Sequence, residues 1–137
     1  QTFLPCPSYS DSAKVLDRAR LGKQRVETWQ IYRALTEPSY GWKNHPATKM
    51  WQGYTDALLK YGIAICQEWQ NRGYQDTLLS KFLAAVRSGD NISYPPWLGM
   101  PELHASHRGN LLRKFPDHYS KFGWTDSPDL PYVWPVK

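Results

Sequence analysis

The segment HASHR at residues 104–108 carries the densest cluster of side chains that could do chemistry in this chain. On a helix, His104, His107 and Arg108 would lie on one face, because residues three and four positions apart are neighbours. Two imidazoles and a guanidinium could bind a phosphate or transfer protons near neutral pH. Ordinary surface or packing histidines are the alternative. A metal site is less favoured, because the sequence places no carboxylate or cysteine to complete the ligands.

His45 is a second candidate, because it immediately precedes Pro46. Proline is well tolerated in the first turn of a helix, so we expect His45 at a helix N-terminus, where the helix dipole favours anions. The neighbouring Lys43 and Asn44 strengthen the case for contact with an anion. A simple helix cap explains the same pattern equally well.

Glu27 is the carboxylate candidate, because it follows Asp17 as the only other acid in a strongly basic segment. Such a carboxylate could be aimed at a cation that develops during a reaction. An intrahelical ion pair with Lys23, four residues earlier, is an equally good interpretation.

The positive charge of the chain is concentrated rather than spread. The 17 Lys and Arg residues exceed the 12 Asp and Glu residues, which gives a net charge of +5. Residues 13–35 hold six basic and two acidic residues, and residues 102–121 hold four and two. This distribution predicts a basic face directed at a polyanion such as nucleic acid. A solvated helix surface with no specific partner is the alternative.

Helical periodicity dominates the chain and strand-like alternation is absent, so we expect one compact all-α domain over residues 1–137. Asp11 or Ser12 can cap a first helix that runs to about Leu35. Its expected apolar stripe consists of Leu16, Ala19, Val26 and Trp29. Gly22, in the middle of this helix, is expected to mark a close approach of the backbone to another element.

A long central helix is expected from Asn44 to about Gly73, where apolar residues recur every three or four positions. A shorter helix should span residues 76–87 and end at Gly89. A last helix should cover residues 101–114, and Pro116 should restart a short turn that ends near Gly123. The tail from Trp124 to Lys137 contains three prolines, so we expect it to pack along the surface in extended form.

Several classes of protein are excluded at this stage. No apolar run approaches the roughly 18 residues that a membrane span needs, and the first residues lack a signal-peptide pattern. The two cysteines, Cys6 and Cys66, do not make a disulfide framework, and phosphate-binding and dinucleotide-binding motifs are absent. We therefore expect a cytoplasmic, monomeric protein that uses no cofactor or metal and binds no membrane.

The order of the motifs resembles a bacterial and phage branch of the pyrimidine-dimer DNA glycosylase/endonuclease V family. The resemblance covers nearly the whole chain. It rests on RLGKQRVE at residues 20–27, NHP at 44–46, MW at 50–51, RGY at 72–74, PPWLG at 95–99, HASHR at 104–108, and the run from Pro116 through Tyr119 to Trp124.

The resemblance implies an all-α enzyme that binds damaged duplex DNA, flips a nucleotide out, cleaves the glycosidic bond and nicks the strand by β-elimination. The nucleophile of the family is the α-amine of the processed N-terminal residue, which is Gln1 in this sequence. An α-amine has a pKa of about 7.7–8.0, well below that of lysine, so an appreciable fraction is neutral and nucleophilic near pH 7. The catalytic glutamate of the family falls at Gly22 here, which leaves Glu27, more than one turn further along, as its substitute.

The expected ligands of DNA phosphates are basic residues of the two charged segments and the loop before His45. The resemblance aligns Arg25 with an arginine of the family. It also places Arg108, Arg113 and Lys114 within about one residue of basic positions on the family's C-terminal helix. The set is Arg18, Arg20, Lys23, Arg25, Lys43, Arg108, Arg113 and Lys114.

Three functions are therefore open. The first is a DNA glycosylase/AP lyase that acts on a damaged or modified base, including pyrimidine dimers, in double-stranded DNA. The second is a hydrolytic enzyme on the same scaffold, in which His45, His104 and His107 replace the amine and the glutamate. The third is a protein that grips distorted DNA without catalysis.

Overall fold

The computed structural model describes residues 1–41, 44–87 and 92–135, and these residues form helices and loops with no strand. The all-α prediction is confirmed. The helices in these ranges are α1 (Tyr9–Val15), α2 (Arg18–Thr36), α3 (Pro46–Lys49), α4 (Thr55–Asn71), α5 (Leu79–Ala85), α6 (Pro101–Lys114) and α7 (Pro116–Tyr119), followed by a 3-10 turn at Ser120–Phe122.

The first predicted helix is in fact two helices, α1 and α2, that are separated at Leu16 and Asp17. Both residues have extended backbone, with ψ of 139° and 161°. The Asp17 carboxylate accepts a hydrogen bond from the backbone N–H of Arg20 at 3.3 Å, which caps α2. The prediction of one continuous helix was wrong because Asp17 starts a new helix instead of continuing the old one.

The buried face of α2 also differs from the predicted stripe. Val26 is 48% exposed and Ala19 is exposed. The buried positions of the helix are Leu21, Gln24, Thr28, Ile31 and Ala34. Two of these are polar, so the apolar pattern alone pointed to the wrong face. Gly22 does mark a close approach, because a Cβ at this position would lie 3.1 Å from the ring of Trp69.

The long central helix is likewise interrupted, between α3 and α4. Gly53 has a φ of 87°, a left-handed conformation that glycine adopts without strain. The expected helix from Asn44 therefore ends after one turn and restarts at Thr55. From there α4 forms the centre of the fold and packs against α1, α2 and α5.

The core surrounds α4, and its largest fully buried side chains are Trp51, Tyr61 and Tyr119. A smaller apolar cluster joins α4 to α5 around Phe82. Helix α5 is shorter than the predicted 76–87, and the expected stop at Gly89 lies outside the described residues. No helix in the described part of the chain is both long and apolar enough to cross a bilayer.

Helix α6 has the predicted bounds, and the extended C-terminal segment packs along it. The Asn110 side chain donates to the carbonyl oxygen of Leu130 at 2.9 Å, and the Val133 N–H donates to the Ser106 hydroxyl at 3.2 Å. Gly109 lies between these contacts, and a Cβ on it would lie 2.2 Å from the carbonyl oxygen of Ser127. Only a residue without a side chain lets the segment lie this close.

Gly109→Ala should therefore displace the C-terminal segment. Because the added methyl meets backbone that cannot rotate away, we expect the free energy of unfolding to fall by about 1–3 kcal/mol. Urea denaturation followed by tryptophan fluorescence measures it. Gly41→Ala is the matched control, since no atom lies within 4 Å of the added Cβ. Equal stability of the two variants would contradict the packing of the tail on α6.

An ion pair ties α2 to the segment before α5. Arg25 lies 2.6 Å from the carboxylate of Asp76, and their side chains are 14% and 0% exposed. The same carboxylate accepts hydrogen bonds from the N–H groups of Leu78 and Leu79. Burial opposes ionisation of Asp76, but the Leu79 N–H, Arg25 and the Leu78 N–H outweigh it and hold the pKa of Asp76 below its usual value.

Arg25→Ala should leave the Asp76 carboxylate buried without its counter-charge, which should cost about 3 kcal/mol of unfolding free energy at pH 7. The loss should shrink as the pH falls through the pKa of Asp76, because a protonated Asp76 needs no cation. Urea denaturation between pH 3 and pH 7 measures both effects. Arg33→Ala, which breaks the exposed pair of Arg33 with Glu37, should change stability little. A small, pH-independent loss in Arg25→Ala would show that the pair is not structural.

Candidate active site

The N-terminal segment enters the protein in extended form and is bonded by side chains of the helices. Residues 2–5 are buried. The N–H of Phe3 donates to Gln24 Oε1 at 3.0 Å, and the hydroxyl of Tyr61 lies 2.7 Å from the carbonyl oxygen of Phe3. The indole N–H of Trp51 donates to the Thr2 hydroxyl at 3.0 Å. These bonds hold the first residues against α2 and α4.

Gln24 links the backbone of this segment to a carboxylate. Its Nε2 donates to the carbonyl oxygen of Gln1 at 2.7 Å and lies 3.5 Å from Glu27 Oε2. Its Oε1 accepts from Phe3 and lies 2.7 Å from the Tyr61 hydroxyl. Both polar atoms of the Gln24 side chain form hydrogen bonds, and the residue is only 1% exposed. A change at Gln24 would therefore move both the first residue and Glu27.

The α-amine of Gln1 lies 3.7 Å from Glu27 Oε2, and the two side chains are 10% and 21% exposed. Burial lowers the pKa of this amine below the usual 8.0, and the nearby Glu27 carboxylate opposes the shift. The net effect is a larger neutral fraction of the amine at pH 7. Gly22, where the resemblance predicts the position of the family's glutamate, packs against the ring of Trp69.

A cleft of about 350 Å³ opens beside the amine. It lies in the volume range of small-molecule sites. Its wall combines the amine, one carboxylate and three basic side chains, and it is lined by Gln1, Phe3, Ala19, Arg20, Lys23, Gln24, Glu27 and Lys114. The basic side chains of this cleft could bind a phosphorylated or polyanionic ligand next to the Gln1 amine.

The three basic residues of the cleft differ in their contacts. Arg20 pairs with Asp17 at 3.2 Å. Lys23 is 75% exposed and lies 3.7 Å from Glu27. Lys114 lies 2.9 Å from the hydroxyl of Tyr132 and 5.3 Å from the ring centroid of Phe3. Lys23 and Lys114 are therefore available to an incoming anion at the rim.

The remaining predicted phosphate ligands fall into two groups. Arg18 and Arg113 are exposed. Arg25 and Arg108 instead form ion pairs within the protein, Arg108 with Asp126 at 2.7 Å. The DNA contacts expected of these two residues stay predictions, and in the structure their guanidinium groups are paired with carboxylates. Lys43 lies outside the described residues.

His45 is exposed at the N-terminus of α3, where its Nδ1 accepts a hydrogen bond from the N–H of Ala47 at 3.0 Å. This is the helix-cap interpretation of the sequence. Its ring centroid lies 6.4 Å from that of Trp134. His45 does not line the cleft.

His104 and His107 are both buried, with 2% and 0% exposure. His104 Nδ1 lies 2.7 Å from the carbonyl oxygen of Leu4, and His107 Nδ1 accepts from the Leu4 N–H at 2.8 Å. Burial lowers the pKa of both rings, that of His107 to about 3, so both are neutral at pH 7. The structure thus places them in the interior, on the backbone of Leu4, and not on the cleft.

The residues that sequence analysis missed are Gln24, Tyr61 and Trp51, which position the first three residues. One signal could have found Gln24. Gln24 lies on the buried face of α2 together with Leu21, Thr28 and Ile31. A side-chain amide that is buried must form hydrogen bonds. No sequence pattern identifies the backbone groups that it would bond.

A family comparison completes the description of this site. The sequence model of a family described as pyrimidine dimer DNA glycosylase matches residues 1–81, which include the N-terminal segment and helices α1 to α4. Curated proteins and solved structures yield no match. The amine, Gln24 and Glu27 all lie within the matched region. Because the match covers more than half of the sequence, the chain belongs to the pyrimidine dimer DNA glycosylase family, a family of DNA-repair enzymes.

Proposed function

We propose that this protein is a DNA glycosylase and AP lyase that acts on damaged bases, including pyrimidine dimers, in duplex DNA. The α-amine of Gln1, where residue 1 carries a free amine, is the nucleophile. The observation that supports this best is the amine 3.7 Å from the Glu27 carboxylate beside a cleft with basic walls. All of these groups belong to one chain, so a monomer suffices.

The first step is attack of the neutral amine on C1′ of the damaged nucleotide. The C1′–N glycosidic bond breaks as the new C1′–N bond forms, and the base leaves with the bonding electron pair and takes up a proton. The nitrogen lone pair then expels O4′, which leaves with the C1′–O4′ electron pair and takes up a proton, and a protonated imine forms between Gln1 and the deoxyribose. The lowered pKa of the amine favours this chemistry, because only the neutral amine has a free electron pair.

Glu27 stabilises the positive charge that this sequence creates. The charge develops on the amine nitrogen and C1′, within reach of a carboxylate that already contacts the nitrogen. Gln24 is hydrogen-bonded to both Gln1 and Glu27 and so keeps the amine and the carboxylate next to each other. Such a carboxylate can also accept the proton that the amine loses.

The strand is nicked by β-elimination from the imine. A base removes a proton from C2′, the electron pair forms the C2′–C3′ double bond, and the C3′–O bond breaks with loss of the 3′ phosphate. Glu27, the carboxylate that lines the cleft and contacts the Gln1 amine, is the candidate base that removes this proton. Hydrolysis of the imine then returns the free amine.

DNA binding is assigned to the basic side chains that line the cleft or lie near it on the same helices. Lys23, Arg20 and Lys114 lie at its edge, and Arg18 and Arg113 are exposed on the same two helices, α2 and α6. The damaged nucleotide must leave the stack to reach the amine, at a cost of a few kcal/mol that is smaller where pairing is already weakened. Phosphate contacts offset that cost and make binding salt-dependent.

Borohydride trapping tests the nucleophile. On UV-irradiated and on abasic duplex DNA, reduction of the imine should leave a covalent protein–DNA adduct, and protein acetylated at its α-amine alone should give none. Peptide mass mapping should place the adduct on Gln1, and intact mass should verify the free amine beforehand. An adduct on a lysine, or tight salt-dependent binding with no adduct on either DNA, would overturn the proposal.

Glu27→Gln tests the carboxylate. We expect release of damaged base to slow by about 10²–10⁴-fold, since a group that acts on developing charge or on protons contributes at this scale. Affinity for the same DNA, measured by fluorescence anisotropy, should change little. Glu37→Gln, at the other end of α2 and in an exposed pair with Arg33, is the control and should keep full activity. Wild-type rates in Glu27→Gln would remove Glu27 from the mechanism.

A further inference from the structure

Three of the four polar side chains of the HASHR motif, those of His104, His107 and Arg108, bond the N-terminal segment. The Leu4 N–H donates to His107 Nδ1 at 2.8 Å, and the Leu4 carbonyl oxygen lies 2.7 Å from His104 Nδ1. Arg108 donates to the carbonyl oxygen of Pro5 at 2.9 Å. One face of α6 therefore binds three consecutive polar groups of the segment's backbone.

The hydrogen bonds of the two rings assign their protons. The Gly99 N–H donates to His104 Nε2 at 2.8 Å, so Nδ1 of His104 carries the proton and donates to Leu4. His107 accepts at Nδ1, so its proton is on Nε2, which is buried without a partner in the described part of the chain. His104 thus donates to the carbonyl oxygen of Leu4, and His107 accepts from its N–H. The two rings together satisfy both backbone polar groups of Leu4.

Arg108 is held in place for its contact with Pro5. Its guanidinium forms two hydrogen bonds with the carboxylate of Asp126, at 2.7 and 3.1 Å, in addition to the bond to Pro5. A paired arginine in this geometry is a rigid donor. None of the three side chains lines the cleft, so none is placed to contact a substrate there.

Only two residues, Thr2 and Phe3, separate Leu4 from Gln1, which carries the amine. Gln24 bonds Gln1 and Phe3 on one side of the segment, and α6 bonds Leu4 on the other. A displacement of Leu4 would therefore be transmitted along the chain to Gln1, and loss of about 1 Å in placement of a reacting group can cost roughly 10²-fold in rate.

We infer that His104, His107 and Arg108 are positioning residues that hold the backbone at Leu4 and Pro5 and so place the Gln1 amine beside Glu27. This inference rests on the proposed function, since it gives the motif a role in placing the proposed nucleophile. The motif acts through the backbone and takes no part in bond making.

His107→Leu is the decisive variant, because leucine fills a similar volume in the interior but has no atom that can accept a hydrogen bond from the Leu4 N–H. His107→Asn is its conservative partner, since the amide oxygen can accept near the position of Nδ1. His118→Leu is the matched control. His118 Nε2 also contacts a backbone carbonyl, that of Val15 at 2.9 Å, but far along the fold from Gln1.

The first readout needs no DNA. Reductive methylation of the Gln1 amine with formaldehyde and cyanoborohydride, followed by mass spectrometry across a pH series, gives the pKa of that amine. We expect His107→Leu to raise it toward the ordinary value of about 8, because a displaced amine is better solvated. His107→Asn and His118→Leu should both retain the wild-type pKa.

The second readout is borohydride trapping on saturating abasic DNA. His107→Leu should slow trapping by at least about tenfold with unchanged DNA affinity, and His107→Asn should restore the rate. A wild-type amine pKa and trapping rate in His107→Leu would overturn the inference and leave the motif a packing element. If His107→Leu does not fold, His107→Gln, whose acceptor lies one bond further out, takes its place under the same two outcomes.

The two readouts separate this inference from the proposed function. If the wild-type protein gives no adduct, the proposed function fails, while a raised amine pKa in His107→Leu still supports the positioning role. If the wild-type protein gives an adduct and no variant changes the pKa or the rate, the function stands and the inference fails.

Discussion

The need to satisfy a buried, extended N-terminal segment with side-chain hydrogen bonds is the constraint on which this structure depends. Residues 2–5 lie in the interior and have no neighbouring strand within the described chain, yet buried backbone groups must be paired. Gln24 on α2, Tyr61 on α4 and two histidines on α6 supply the partners. The three helices are thereby fixed relative to one another, because each is hydrogen-bonded to the same buried segment. Polar residues consequently occupy core positions where an all-α protein usually places leucine.

Two opposing effects act on the amine that this segment delivers. Burial favours its neutral form, and the carboxylate of Glu27 favours its charged form. A reaction that begins with a neutral amine and passes through a cation uses both, because the first effect supplies the nucleophile and the second lowers the energy of the cation. Basic residues at the rim add to the first effect, since Lys114 and Lys23 also disfavour the protonated amine. The same residues that would attract DNA therefore also favour the neutral form of the amine that we propose as the nucleophile.

Local signals predicted part of this architecture. Pro101 and Pro116 bracket α6, and proline both starts a helix and stops its predecessor, so the bounds of α6 could be predicted to the residue. The interruptions at Asp17 and Gly53 were missed because apolar periodicity continues across them, while a cap and a left-handed glycine decide the backbone. Spacing correctly grouped His104, His107 and Arg108 on one face. It could not say what that face meets, because Leu4 is 103 residues away from His107 and no local pattern encodes such a contact.

The packing of α6 on the first residues also has a consequence for biosynthesis. The side chains that enclose Leu4 and Pro5 are at positions 104–108, close to the other end of the chain. During translation residues 4 and 5 emerge well before residues 104–108 are made, and contacts of such long sequence separation form late. The backbone polar groups of Leu4 and Pro5 therefore lack these partners until α6 has been synthesised, and folding of α6 completes the burial of the segment.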